Sequence, residues 1–179
     1  MYFISDTHFF HKNIIRFGNR PFASVEEMNQ SMIDRWNNVV APNSIVYHLG
    51  DFAYGAWNGD EVEELFNKLN GQKYLIFGNH DHNQTFKLKW RGHCAYKEIK
   101  YNGNKIVLSH YPIIEWNGAF HKSLHFHGHT HLNLPLDVLK GMEKAKPYCN
   151  NWLNLSAEHI DYTPQHIDQL LLKIKEKNT

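Results

Sequence analysis

Aspartate, asparagine and histidine gather in this chain just past its short apolar runs. After Phe3-Ile4-Ser5 comes Asp6-Thr7-His8, and after Val46-Tyr47-His48-Leu49 comes Gly50-Asp51. After Leu75-Ile76-Phe77 comes Gly78-Asn79-His80-Asp81, and after Ile106-Val107-Leu108-Ser109 comes His110. After Leu124-His125-Phe126-His127 comes Gly128-His129-Thr130-His131. The donors offered are carboxylate, amide oxygen and imidazole, with no thiolate. Such a set fits two borderline divalent cations such as Mn²⁺, Fe²⁺, Zn²⁺ or Ni²⁺. It suits Mg²⁺ less, because that ion prefers all-oxygen shells and keeps its waters. Asp6 and His8 are two residues apart, as are His129 and His131, so extended backbone puts each pair on one side. Gly50, Gly78 and Gly128 precede donors at points where sharp turns and close backbone approach call for a residue without a Cβ. Fourteen histidines in 179 residues reinforce the theme of metal binding and proton handling.

The apolar runs themselves read as strands: Tyr2–Ser5, Ser44–Leu49, Lys73–Phe77, Ala95–Tyr101, Lys105–Ser109, Leu124–His127 and Trp152–Leu155. Asn102-Gly103 marks a hairpin between two of them. Helical periodicity runs from Ser24 to about Ala41, with a Ser24/Glu27 capping box and Pro42 beyond the end. A second helix is predicted over Asp60–Asn70, stopped by Gly71. A third runs from Thr163 to about Lys175 with Pro164 at its first position. Strands alternate with helices in the first half, which favours parallel pairing; the second half is strand-rich. The expectation is an α/β chain with a mixed sheet or two stacked sheets, and ligands in α/β sheets gather outside the carboxyl ends of strands. Residues Asp137 to Asn151 read as an irregular loop.

Composition narrows the function classes. Length fits one domain, taken as residues 1–179, and 42% hydrophobic with 21% charged residues is a globular balance. A net charge of +1 lacks the strong basic excess of a nucleic-acid coat, although a nucleic acid stays open as a substrate. Cys94 and Cys149 cannot build a disulfide framework and read as partly buried free thiols in a reducing compartment. No membrane span or secretory signal is legible, so the cytoplasm is the expected location. The oligomeric state is left open.

The ordered set Asp6-X-His8, Gly50-Asp51, Gly78-Asn79-His80-Asp81, His110 and Gly128-His129-X-His131 resembles the calcineurin-like metallophosphoesterase superfamily. The opening Asp6-Thr7-His8-Phe9-Phe10-His11-Lys12-Asn13-Ile14-Ile15, with Arg20-Pro21-Phe22, further resembles its small single-domain bacterial and phage members. Asn154-Leu155-Ser156 and Tyr162-Thr163-Pro164 resemble that subgroup's C-terminal end. The resemblance implies an αββα metallophosphoesterase-like fold, a two-sheet β-sandwich flanked by helices. It also implies two metal sites, one of Asp6, His8, Asp51 and His131, the other of Asp51, Asn79, His110 and His129, bridged by Asp51. His80 would sit beside the metals and Asp81 would orient it.

The activity so implied is hydrolysis of a phosphoester, foremost a small diester or nucleotide. A hydroxide shared by two divalent ions, Mn²⁺ first with Fe, Zn, Ni or Co as alternatives, would attack phosphorus. His80 would act as acid or charge stabiliser. The alternatives are a phosphomonoesterase acting on a nucleotide or phosphoprotein, a nuclease, and a metal-holding binding module without catalysis. Outside the set, His48, His125 and His127 read as core rather than ligands. His11 and Asn13 touch substrate or cap a helical turn over Asn13–Phe17, and Arg16 and Arg20 read as solvated surface more readily than as a phosphate clamp. His82 and Tyr111 abut the motifs. Lys87–Arg91 reads as a solvated helix face.

Overall fold

The computed structural model describes residues 1–55, 59–132 and 149–178. Two sheets carry the chain. The first is ordered β4-β3-β2-β1-β9 and the second β5-β6-β7-β8. The first takes β1 (Tyr2–Ile4), β2 (Ile45–His48), β3 (Gln72–Ile76) and β4 (His93–Cys94), all parallel, plus β9 (Gln165–His166) antiparallel to β1. The second takes β5 (Tyr96–Tyr101), β6 (Asn104–Ser109), β7 (Leu124–His127) and β8 (Trp152–Asn154). There β5 and β6 form the expected hairpin through Asn102-Gly103, and β6, β7 and β8 run parallel. Both hairpin residues take positive φ, 46° and 78°, the conformation that Asn-Gly turns supply most easily. The chain changes sheets at a single residue, Ala95, between β4 and β5.

The helices are α1 (Lys12–Phe17), α2 (Val25–Val39), α3 (Gly59–Lys68), α4 (Asn83–Lys87) and α5 (Ile167–Lys177). The α2 cap forms as expected: Ser24 Oγ accepts from the Glu27 N–H at 3.1 Å, while Glu27 reaches back to the N–H of Ala23 at 2.8 Å. Its helix stops two residues earlier than the pattern predicts, because Pro42 disfavours helical backbone before it and Val40 is already extended. Met28, Met32, Ile33 and Trp36 bury one face of α2; Val62, Leu65 and Phe66 do so for α3, and Ile167, Leu170 and Ile174 for α5. Phe3 of β1 and Phe126 of β7 meet edge to face at 5.1 Å, joining the two sheets through one core.

The last helix departs from its sequence reading. Pro164 is not its first residue; Gln165 and His166 pair with Phe3 and Tyr2 before α5 begins at Ile167. The free edge of β1 captures these two residues, and the Ile167 N–H donates to Met1 O at 3.0 Å. Two-residue strands such as β4 and β9 carry too short a pattern to read from sequence. The predicted loop over Asp137 to Asn151 lies outside the described residues except for a 3₁₀ turn at Cys149–Asn151. Among the described residues no helix is long and apolar enough to cross a membrane.

Candidate metal centre

Parallel pairing decides where the donors go. The β1/β2/β3 register, Ile4 beside His48 and His48 beside Leu75, places three carboxyl ends along one edge of the first sheet. The β6/β7/β8 register does the same in the second. A parallel bridge between Ser5 and Ser156 brings the two edges together. Asp6, Gly50-Asp51, Asn79, His110, His129 and His131 all follow strands that end there.

The loops holding these donors are bent in a way few residues tolerate. Asp6, His8, Asp51, His129 and His131 have φ of 55°, 48°, 56°, 71° and 42°. Left-handed backbone at non-glycine residues costs energy, and its clustering at one place marks a site the rest of the fold must hold. Gly50 has φ 102°, and a Cβ there would stand 2.6 Å from His110 Nδ1. Gly128 lies so close to Ser5 Oγ and Asp6 Oδ2 that a Cβ would overlap both.

Asp6 is fully buried. Its Oδ2 accepts from the His129 N–H and from Ser156 Oγ, each at 2.9 Å, while its Oδ1 has no hydrogen-bond partner. His131 Nε2 is 3.7 Å from that Oδ1. His8 is buried with Nε2 also unpartnered, 3.6 Å from Asp51 Oδ2. The same Asp51 oxygen is 3.5 Å from His110 Nε2. Asp51 Oδ1 accepts from the His80 N–H at 2.8 Å. His110 Nδ1–H donates to Leu49 O at 2.9 Å, and its Nε2 faces Asn79 Oδ1 at 3.0 Å. The His129 ring stands 5.1 Å from that of His110.

These residues fit divalent metal ions. Asp6, His8 and His131 bring donor atoms within 4.8 Å of one another, as do Asp6, Asp51 and His110. Buried polar atoms without partners are rare and costly, and Asp6 Oδ1 and His8 Nε2 both point into these groups. Asp6 belongs to both groups, and Asp51 Oδ2 stands between His8 and His110, where a bridging carboxylate would lie.

The protonation balance points the same way. Burial, then the charges of His131, Arg20, His11 and His80, hold His8 well below the ordinary imidazole value, leaving its lone pair free. Burial pushes Asp51 up to about 7 against the pull of His110. A carboxylate so short of positive charge is one that a cation would return to its ionised form. Burial also lowers His80 and His129.

Asp81 sits differently from the role the resemblance implied. Its carboxylate accepts from the backbone N–H groups of Asp51, Phe52 and Gly78 at 2.9, 2.9 and 2.8 Å. It braces the turn that carries Asp51, and its charge favours the protonated form of His80 against the effect of burial. The His80 ring is half-buried, 5.5 Å from His8 and 5.1 Å from Tyr54.

Arg20 corrects the surface reading. It is buried, with Nη1 donating to Thr7 O and Nη2 to Asp6 O, both at 2.7 Å. Its Nε donates to Glu158 Oε1 at 2.8 Å. Glu158 in turn accepts from His131 Nδ1–H at 3.0 Å. Burial opposes charge on His131, yet this bond and the charges of Asp6 and Glu158 lift it above the ordinary value.

Sequence reasoning missed Glu158 and the part played by Ser156. The signal available was Asn154-X-Ser156-X-Glu158, alternate polar residues leaving β8, each of which turns toward the centre. Asn154 Nδ2 donates to Thr130 Oγ1 at 2.8 Å and to His131 O at 3.2 Å.

The remaining candidates divide. His48 is buried between Thr7 Oγ1 at 2.9 Å and the Gly50 N–H at 3.3 Å. His125 bonds Val107 O and the Ile113 N–H, and His127 bonds Gly128 O, so these three brace the core as expected. The His11 ring lies tilted against Tyr54 at 4.4 Å, with Nδ1 3.4 Å from His8 Nδ1, at the rim of the centre. Asn13 and Arg16 are exposed on α1, Arg16 lying over Phe17, and His82 is exposed ahead of α4. Tyr111 is half-exposed, 4.4 Å from His129. In the Lys87–Arg91 run, α4 ends at Lys87, and Trp90 packs on Phe66 at 4.7 Å and Phe52 at 5.3 Å instead of lying on a solvated face.

Comparison with known proteins bears on the same residues. A family model described as calcineurin-like phosphoesterase matches residues 1–173. The chain is 41% identical to an uncharacterised protein of Methanocaldococcus jannaschii over 177 residues, covering 99% of this chain and 92% of that one. It is 25% identical to the Gene 66 protein of Mycobacterium phage L5 over 160 residues, covering 73% of this chain and 76% of that protein. A solved structure, a protein of unknown function from Aquifex aeolicus, superimposes with a TM-score of 0.76 at 29% identity, covering 96% of this chain and 97% of that one.

Proposed function

This chain belongs to the calcineurin-like phosphoesterase family, and on that premise we propose that it is a divalent-metal-dependent phosphodiesterase acting on a small diester or nucleotide. The observation that carries this reading is the meeting, at one edge of both sheets, of donors remote in sequence around two buried polar atoms without partners. Asp6, His8, Asp51 and His131 would hold one cation, and Asp51, Asn79, His110 and His129 the other. The mixed donor set of carboxylate, amide oxygen and imidazole suits Mn²⁺ or a neighbouring first-row ion. Two such cations supply Lewis acidity that neutralises phosphoryl oxygens and makes water nucleophilic near neutral pH.

The chain's own residues supply the rest. Gly50 and Gly128 let backbone and side chains approach closely enough to close the cage. Asp81 fixes the Asp51 turn. His80 has its backbone tied to Asp51 Oδ1 and its ring half-open to solvent. From there it holds a proton for the leaving oxygen or faces the phosphoryl charge. A diester leaves as a poor alkoxide that needs that proton, and an acid in place contributes about 10²–10⁴-fold. We read the 179 residues as one catalytic domain. We place it in the cytoplasm, where the free thiol of Cys94 suits a reducing environment.

The deciding experiment compares bis-nitrophenyl phosphate with nitrophenyl phosphate in the presence of Mn²⁺. Faster turnover of the diester is expected. Preference for the monoester would make the protein a phosphomonoesterase, and metal uptake without turnover of either would make it a binding module.

A further inference from the structure

A buried ion pair fastens the loops that carry Asp6, His8 and His131. The Arg20 and Glu158 side chains are 0% and 1% exposed, and they meet at 2.8 Å across 138 residues of sequence. Neither belongs to the donor set. Burying a charged pair this completely costs desolvation, and it holds only if the remaining donors and acceptors are used. Here they are used on the metal-site loops.

Arg20 directs two N–H groups to Asp6 O and Thr7 O, the carbonyls flanking the left-handed turn of Asp6 and His8. Glu158 directs its carboxylate to His131 Nδ1 at 3.0 and 3.1 Å. A carboxylate can only accept, so Nδ1 carries a proton and Nε2 is the ring atom turned to Asp6 Oδ1 at 3.7 Å. A carboxylate behind a ligating imidazole fixes its tautomer and raises its basicity. Its counterpart in the other half is weaker. His110 leans on a neutral carbonyl, Leu49 O, and Asn79 is exposed.

We propose that Arg20 and Glu158 are positioning residues that make the Asp6–His8–His131 site the tighter of two unequal cation sites, filled before the Asp51–Asn79–His110–His129 site. The proposal rests on the reading that these residues hold cations, and its test therefore reads metal binding rather than turnover.

Calorimetric titration of the metal-free full chain with Mn²⁺ should resolve two binding steps. Glu158→Gln should weaken the tighter step by about 10–100-fold, the usual cost of losing an outer partner of a ligand, and leave the weaker step in place. Arg20→Lys keeps a charge for Glu158 but cannot span both carbonyls, and should weaken the same step by less. Two indistinguishable steps in the wild-type chain overturn the proposal, as does equal weakening of both steps in Glu158→Gln. A measurement on the wild-type chain covers variants that do not fold: one equivalent of Zn²⁺ added to the metal-free protein should shift the imidazole ¹⁵N signals of His8 and His131 before those of His110 and His129. Shifts appearing first at His110 and His129 would overturn the proposal. A wild-type chain that takes up no Mn²⁺ overturns the underlying metal reading instead.

Discussion

The two halves of the centre are built from similar donors but held by different means. The Asp6–His8–His131 half is gripped by side chains from far along the chain: Arg20, Ser156 and Glu158. The half around Asp51, Asn79 and His110 is held through its main chain. Asp81 gathers three backbone N–H groups, and Leu49 O takes the His110 proton. Side-chain bracing fixes the direction and tautomer of a single ligand. Main-chain bracing fixes the shape of the turn on which a ligand rides. Asp51, with one oxygen between His8 and His110, is where the two halves meet.

That division is open to direct attack. Asp51→Ala removes the shared carboxylate and should break both halves at once. Activity should fall by at least about 10³-fold, since charge stabilisation by the cations is worth several kcal/mol. Elemental analysis should find the metal lost, and a variant that kept two ions would show that the halves do not share Asp51. His80→Ala lies outside both halves. It should keep its metal content and lose about 10²–10⁴-fold in rate on an unactivated diester. Full activity on such a substrate would remove His80 from the chemistry. Asp81→Asn is the mildest and the most selective. It keeps the size of the side chain but weakens the acceptors for three buried N–H groups, at about 1–3 kcal/mol. A lowered unfolding midpoint, with weakened uptake confined to the looser Mn²⁺ step, would sharpen the contrast. Weakening of the tighter step instead would erase it.

Much of the fold and most of the donor set are legible in short stretches of sequence. The seven apolar runs correspond to seven strands within a residue or two of their observed bounds, because the pattern of each buried face is local. The donors are legible because they follow those strands, and because imidazole, carboxylate and amide oxygen in that order have a chemical reason to be together. Arg20 escapes such a reading for an equally physical reason. An arginine between Asn19 and Pro21 looks solvated unless something distant completes its fork, and that something is Glu158. The start of α5 escapes it likewise, since Pro164 has favourable local chemistry for a helix start and only the open edge of β1 overrides it.

The sequence alone therefore determined which atoms could bind a cation and which strand ends carry them, since side-chain chemistry and hydrophobic period are properties of short stretches. Only the tertiary structure decided which donors face each other, which imidazole nitrogen is free, and which buried charges stand behind them. Those are matters of distance between segments 31 to 138 residues apart, and no local pattern encodes a distance.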